Sequence, residues 1–271
     1  QVTATWWNDS FWEDWDNDGV PETLCHRTIG VFWFDSDGIP GPERIILVRT
    51  THCSQDRDGD GNDDLFFTRF RGLDLVDQNS DGIPERHDVL TRTVWTWDNG
   101  TYEDVNIHLF AHARTDADQD GNLERRVVLN RDQRMVDQGI GSVLTAYFSH
   151  SRFILRVDSN DDGTPERWMT IDHTSWIWDP TEDGNADRHR DNLRAVVTRD
   201  TDSDGSVDVV RALHQNTVQF DNDSNGVVEL QWTWRAGVLK VDTDHDGDLD
   251  YTARMRGWHQ HWDWGMVEYH I

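Results

Sequence analysis

The 271-residue chain is short of lysine: Lys240 stands alone against 24 arginines. It has two cysteines, and no apolar run approaches the roughly 18 residues that a membrane-spanning helix needs. That excludes a helical membrane insertion. HExxH, GxSxG and a phosphate-cradling glycine loop are all missing, so the common zinc-hydrolase, serine-hydrolase and nucleotide-binding schemes have no foothold. No signal peptide is visible at Gln1, which leaves a cytosolic protein or a mature form. Positive charge is scarce overall: the formal net charge is −27, a poor match for nucleic acid.

What is present argues against a disordered acidic tail. Apolar residues make up 35% and there are 15 tryptophans, so an ordered structure is expected. Arginine pairs bidentately with carboxylates and stacks on indole rings, which suits a surface dense in Asp and Trp.

Glycines that follow acidic triplets recur at a fixed interval. Gly61 and Gly82 are 21 residues apart, Gly163, Gly184, Gly205, Gly226 and Gly247 continue at 21, and Gly121 to Gly163 is twice that. Such a period marks a repeat architecture. Between the acidic loops lie about twelve residues rich in Val, Ile, Leu, Thr and Trp, such as Glu85–Trp97 and Val228–Val241. With turn-like residues near the middle, as at Arg235-Ala236-Gly237, they read as β-hairpins of two short strands. Three loops, at Asp98, Asp137 and Asp263, have their glycine 18 residues after the previous one and read as three residues shorter. They are the fifth, seventh and thirteenth, so the larger unit is expected to span about 42 residues, with one loop type optional. The chain begins and ends in mid-unit, and joining its ends would leave no exposed strand edge. The expected fold is therefore all-β: one domain over residues 1–271, most simply a closed propeller of about seven four-stranded blades, with a β-hairpin solenoid as the alternative.

Crowded carboxylates need a physical reason, and a hard cation taking six to eight oxygens supplies one. In D-x-D-x-D-G-x-x-D/E, positions one, three, five and nine offer side-chain oxygens while the glycine allows the sharp turn. Nine loops carry that set: Asp14, Asp16, Asp18 and Glu22; Asp56, Asp58, Asp60 and Asp64; Asp77, Asn79, Asp81 and Glu85; Asp116, Asp118, Asp120 and Glu124; Asp158, Asn160, Asp162 and Glu166; Asp179, Thr181, Asp183 and Asp187; Asp200, Asp202, Asp204 and Asp208; Asp221, Asp223, Asn225 and Glu229; and Asp242, Asp244, Asp246 and Asp250. A weaker tenth, with Asp35, Asp37 and Glu43, reads as lacking the first acid and carrying an insertion. About nine calcium ions are expected, ten if this loop is filled. Magnesium is disfavoured because it gives up water reluctantly. These loops hold more negative charge than the whole chain nets, so the rest is net positive, and nine divalent ions would cancel two thirds of the −27.

The loop followed by a strand resembles the calcium loops of integrin α-chain propellers and of bacterial FG-GAP or VCBS repeats, along nearly the full chain. The resemblance implies a calcium-loaded propeller and an extracellular setting. Loops come twice as often here as the one per blade of that family. EF-hands and dockerins would follow the loop with a helix, and thrombospondin type 3-like repeats, which share the DGIP and DGTP strings, lack the intervening strands.

The motifs VFWF, VWTW, WIW, QWTW and HWDW place aromatics near strand ends. Trp33, Trp95, Trp97, Trp176, Trp178, Trp232 and Trp234 are expected to pack between hairpins, or to stack on sugar rings at an exposed rim. Cys25 and Cys53 form either a disulfide, if the protein is secreted, or two buried thiols. The functional expectation is a secreted, calcium-binding structural or adhesive protein, with no catalytic residues. Its partners would be glycans or further copies of the chain, by ring stacking or filament growth. The alternatives are a calcium-dependent lectin and a polysaccharide lyase or hydrolase on the same frame.

Overall fold

The computed structural model describes residues 1–14, 19, 21–36, 38, 41–100, 102–138, 144–262 and 269–270. All regular structure in it is strand. The elements are β1 (Val2–Glu13), β2 (Thr23–Phe34), β3 (Arg44–Gln55), β4 (Leu65–Val76), β5 (Arg86–Asp98), β6 (Glu103–Thr115) and β7 (Arg125–Asp137). They continue with β8 (Ala146–Val157), β9 (Arg167–Trp178), β10 (Arg188–Arg199), β11 (Val209–Phe220), β12 (Leu230–Val241), β13 (Tyr251–Trp262) and the short β14 (Tyr269–His270).

The expected all-β repeat is present, but the unit differs from the reading above. Each stretch between loops is one straight strand of 12 or 13 residues, and each acidic loop is itself the hairpin connection. Arg235-Ala236-Gly237 lies in the middle of β12 and makes no turn. The Met255 side chain on β13 lies over Gly237, where a Cβ would stand 3.1 Å from Met255 Cε. A full-length strand also pairs every backbone amide along two neighbours, which two short strands with a central turn would forgo.

The strands form one antiparallel sheet in chain order, β1 to β14, so the expected separate four-stranded blades are not formed. Among the described residues β1 pairs with β2 alone, and no pairing joins β1 to β13 or β14. Register does not drift. Following partners from Trp6 on β1 leads, strand by strand, to Met255 on β13 at the same height. Closing a sheet into a barrel requires a register stagger, and this sheet accumulates none.

A single layer has no interior. Cys25 is the one buried apolar side chain among the described residues, and the accessible surface is 16816 Å². A compact monomer of the same mass would expose about 12,000 Å². Alternation along the strands divides the side chains between two faces. The front face carries Trp95, Trp97, Trp176, Trp178, Trp232 and Trp234; the back face carries most of the aliphatic residues. These tryptophans lie on an open face, Trp95, Trp97 and Trp232 being 44–46% exposed, with Trp97 and Trp178 at strand ends beside the loops. Their rings touch neighbours within it, Phe67 against Trp95 at 4.2 Å and Trp176 stacked on Trp178 at 6.4 Å. The expected arginine stacking is found, with Arg188 5.0 Å from the Trp178 ring and Arg156 4.8 Å from that of Trp168.

Cys25 and Cys53 lie directly opposite on β2 and β3 and are joined by a disulfide.

Candidate metal centres

Antiparallel strands send successive loops to opposite ends of the sheet. Odd-numbered loops line one edge and even-numbered loops the other, so neighbours along an edge are about 42 residues apart. Among the described residues one backbone bond links most such pairs: the amide of the first loop residue donates to the carbonyl of the ninth residue two loops earlier. Asp56 bonds to Glu22, Asp77 to Glu43, Asp158 to Glu124 and Asp242 to Asp208, all within 2.7–3.0 Å. The 42-residue unit expected from the sequence is thus two strands and two loops.

Within each loop the backbone is folded around the acids. In all nine loops the glycine amide at position six donates to a carboxylate oxygen of the first Asp, at 2.7–3.2 Å. The ninth residue accepts from the amide of the second, as in Arg57 to Asp64 at 3.0 Å and Gln78 to Glu85 at 2.7 Å. In the ninth loop Pro180 holds that place and has no amide to give. Positions three and five clasp amides two residues on, for example Asn62 to Asp60 and Asn122 to Asp120. Thr181 donates its hydroxyl to Asp179 at 3.1 Å.

These bonds leave carboxylate oxygens over, and the burial is inverted relative to an ordinary protein. Asp158, Asp208 and Asp242 are 2% exposed, Asp179 and Asp221 3%, making loop acids the most deeply buried side chains described. Several oxygens are out of reach of water with no donor: Asp14 Oδ1, Asp116 Oδ1, Glu124 Oε2 and Glu166 Oε1. A buried carboxylate oxygen without a partner is costly, and a cation removes that cost. Ligand atoms of Asp56, Asp58 and Asp64, of Asp116, Asp118 and Glu124, and of Asp158, Asp162 and Glu166 lie within 4.8 Å of one another. The donor set is oxygen-rich and anionic, which fits calcium.

Asp16, Asp18 and Asp37, and the loop from Asp263, lie outside the described residues. Two loops are re-registered by the structure. In the second, Asp35 is the first residue and not the third: its amide bonds to Gln1 O, its side chain takes the Gly38 amide at 2.8 Å, and Glu43 takes that of Ser36 at 2.9 Å. It has the standard nine residues and no insertion; the missing acid is at position five, where Ile39 stands. The seventh loop, Asp137–Thr145, also has nine residues and has lost none. Thr145 Oγ1 accepts the Gln138 amide at 3.0 Å where other loops use a carboxylate. The fifth is short, a tight turn with Tyr102 N–H on Asn99 Oδ1 at 2.9 Å.

One set of residues escaped the sequence reading, the fourth of each loop. Ser80, Gln119, Asp161, Glu182, Ser203, Ser224 and His245 adopt left-handed backbone with φ of 56–63°. Several of their side chains point along the edge into the loop two before their own. Gln119 Nε2 donates to Ile83 O at 2.8 Å and Glu85 Oε1 at 3.2 Å; Ser224 Oγ donates to Asp187 Oδ1 at 2.5 Å; Glu182 accepts from Thr145 Oγ1 at 3.0 Å. His245 Nδ1 is 2.9 Å from Asp208 Oδ1 and 3.3 Å from Asp202 Oδ2. Asp161 joins Asp118 and Asp120. Polar residues at every fourth position were the available signal, but nothing local says where they point.

The electrostatics reflect the crowding. Burial, then the neighbouring Asp118 carboxyl, pushes Asp161 up to about 6. Asp246 and Asp250 raise Asp244 by charge repulsion. Asp208 falls to about 2, held chiefly by the Thr201 hydroxyl and amide, and His245 is raised by its bond to Asp208.

No family model matches the chain, and no curated protein or solved structure matches it.

Proposed function

We propose that this is a secreted calcium-binding structural protein, in which two rows of ions along the sheet edges replace the hydrophobic interior that the sheet lacks. Two observations carry the reading: the burial of the first-position aspartates, 2–7% exposed in six of the loops, and the buried oxygens of Asp14, Asp116, Glu124 and Glu166 that have no partner. Repulsion among these acids opposes folding without a cation, and metal binding becomes folding energy. The Cys25–Cys53 disulfide and sites suited to millimolar calcium both favour the oxidising, calcium-rich space outside the cell. A straight edge of regularly spaced ions suits a surface or assembly component. Titration calorimetry tests the reading: nine to ten calcium ions per chain are expected, and fewer than about half would sink it.

One feature of the front face favours a second reading, calcium-dependent carbohydrate binding. A cleft of about 730 Å³ is lined by Phe148, Asp172, Trp176, Arg190, Asn192 and Arg194. Aromatic rings beside convergent polar groups suit a sugar ring. Glycan-dependent quenching of tryptophan fluorescence, abolished by Trp176→Ala and by chelator, is the expected result on this reading.

A further inference from the structure

At mid-height on the back face one row of residues crosses β1 to β13 without a single charged or polar side chain. Its members alternate in size. On odd-numbered strands the residue is large, as at Trp6, Val48, Leu90, Leu213 and Met255; on even-numbered strands it is Gly30, Gly72, Ala111, Ala195 or Gly237, with Phe153 on β8 the exception. The large members are open to solvent: Leu90 is 39% exposed, Leu213 38% and Met255 67%. Near the sheet ends Trp6 and Met255 lie over Gly30 and Gly237. In the middle the hollows at Ala111 and Ala195 are flanked by bulky neighbours.

We propose that this stripe is the interface through which two copies of the chain pack back to face-matched back, making a two-layer β-sandwich. The alternation is self-complementary. A two-fold axis parallel to the strands and between β7 and β8 sets Leu90 against Ala195, Gly72 against Leu213 and Ala111 against Ile171 of the other copy. Leu129 then meets Phe153 beside the axis. Leu90, Ile171 and Leu213 thus each face a small residue, the interdigitation that sheet packing requires, while Gly30 and Gly237 toward the sheet ends are covered by Trp6 and Met255 of their own sheet.

Charge selects this face over the other. The front face carries 14 arginines and Lys240 against five carboxylates, whereas the back carries nine arginines against six. Two front faces, each +10 by that count, would repel strongly; two back faces, each +3, repel far less. Area suffices as well: seven strands at about 4.8 Å spacing and twelve residues of length span roughly 30 by 40 Å. That exceeds the ~800 Å² per partner of a standard interface. Pairing also brings four acidic edges close together, so the dimer is expected to need calcium. Only this last dependence rests on the metal reading.

Sedimentation velocity at micromolar concentration in calcium tests the interface. A dimer is expected for the native chain, and a monomer with unchanged far-UV strand signal for the Leu90→Lys, Leu213→Lys double variant. Trp176→Ala, on the front face, is expected to leave the dimer intact. A second variant avoids reliance on disruption. Leu90→Cys with Ala195→Cys places the two thiols roughly 24 Å apart within one sheet, so oxidation is expected to yield a covalent dimer and no internal bridge. A native chain that stays monomeric in calcium, or a dimer that survives both lysines without cross-linking through the cysteines, overturns the proposal. A dimer that forms equally well in EGTA upholds the interface and counts against the metal reading instead.

Discussion

Gln119 Nε2 lies 3.2 Å from Glu85 Oε1, joining the sixth loop to the fourth across 34 residues of sequence. The same amide also reaches Ile83 O at 2.8 Å. Along each edge, turn residues such as Gln119 and Ser224 thereby tie one loop to the acidic side chains of its predecessor. Gln119→Asn keeps a residue that tolerates the left-handed φ of 63° but shortens the reach. Loss of about 1–2 kcal/mol is expected, with a melting temperature lower by a few degrees and weaker binding at one calcium site. Thermal scans with and without calcium measure both.

The first and third acids of a loop do different jobs. Asp242 is 2% exposed and takes the amides of His245 and Gly247, both at 2.8 Å, while Asp244 is exposed. Asp242→Ala is therefore expected to cost about 1–2 kcal/mol even in EGTA, because the His245 and Gly247 amides lose their acceptor. Asp244→Ala is expected to lower calcium affinity at one site without lowering the EGTA melting temperature, because it relieves the repulsion from Asp246 and Asp250. Equal effects of the two substitutions in EGTA would contradict the assignment.

Stability is expected to follow calcium. Each site filled at a hundred times its dissociation constant adds about 2.7 kcal/mol, so several sites together should raise the melting temperature by tens of degrees. Calorimetric scans across a calcium series give the slope; a flat response would rule out metal-linked folding.

Asp161, raised to about 6, reports the crowding directly. A carboxyl whose folded-state value exceeds its ordinary one binds more protons folded than unfolded between roughly pH 4 and 6, so stability in EGTA falls as pH rises through that window. Asp161→Asn removes this loss and is expected to stabilise the metal-free protein at neutral pH. In calcium it removes a ligand and is expected to destabilise. The reversal of sign between the two buffers, read by urea titration, is the check.

The disulfide closes a separation of 28 residues between adjacent strands. Cys25→Ser with Cys53→Ser is expected to cost about 3 kcal/mol, measured by urea unfolding in calcium, with the ion count unchanged.

The 21-residue spacing was legible in the sequence because a nine-residue acidic turn is a local object, whereas the exposure of third residues such as Asp244 was not foreseen. Its geometry is set by backbone periodicity within one loop, as the glycine amide on each first aspartate of the nine loops shows. The role of the intervening twelve residues was not legible. One long strand and two short ones share the same alternation, and Gly237 reads as a turn until Met255 is found lying over it. The second loop was misaligned for the same reason: Asp35 is identified as its first residue by the Gln1 carbonyl, 34 positions away. Pairing of distant segments decided that loops alternate between two edges, that fourth residues such as Ser224 complete their predecessors, and that Trp6 shares a row with Met255. Such relations depend on which strands become neighbours and in what register, and that is fixed only when the ladder of backbone hydrogen bonds closes across the whole sheet.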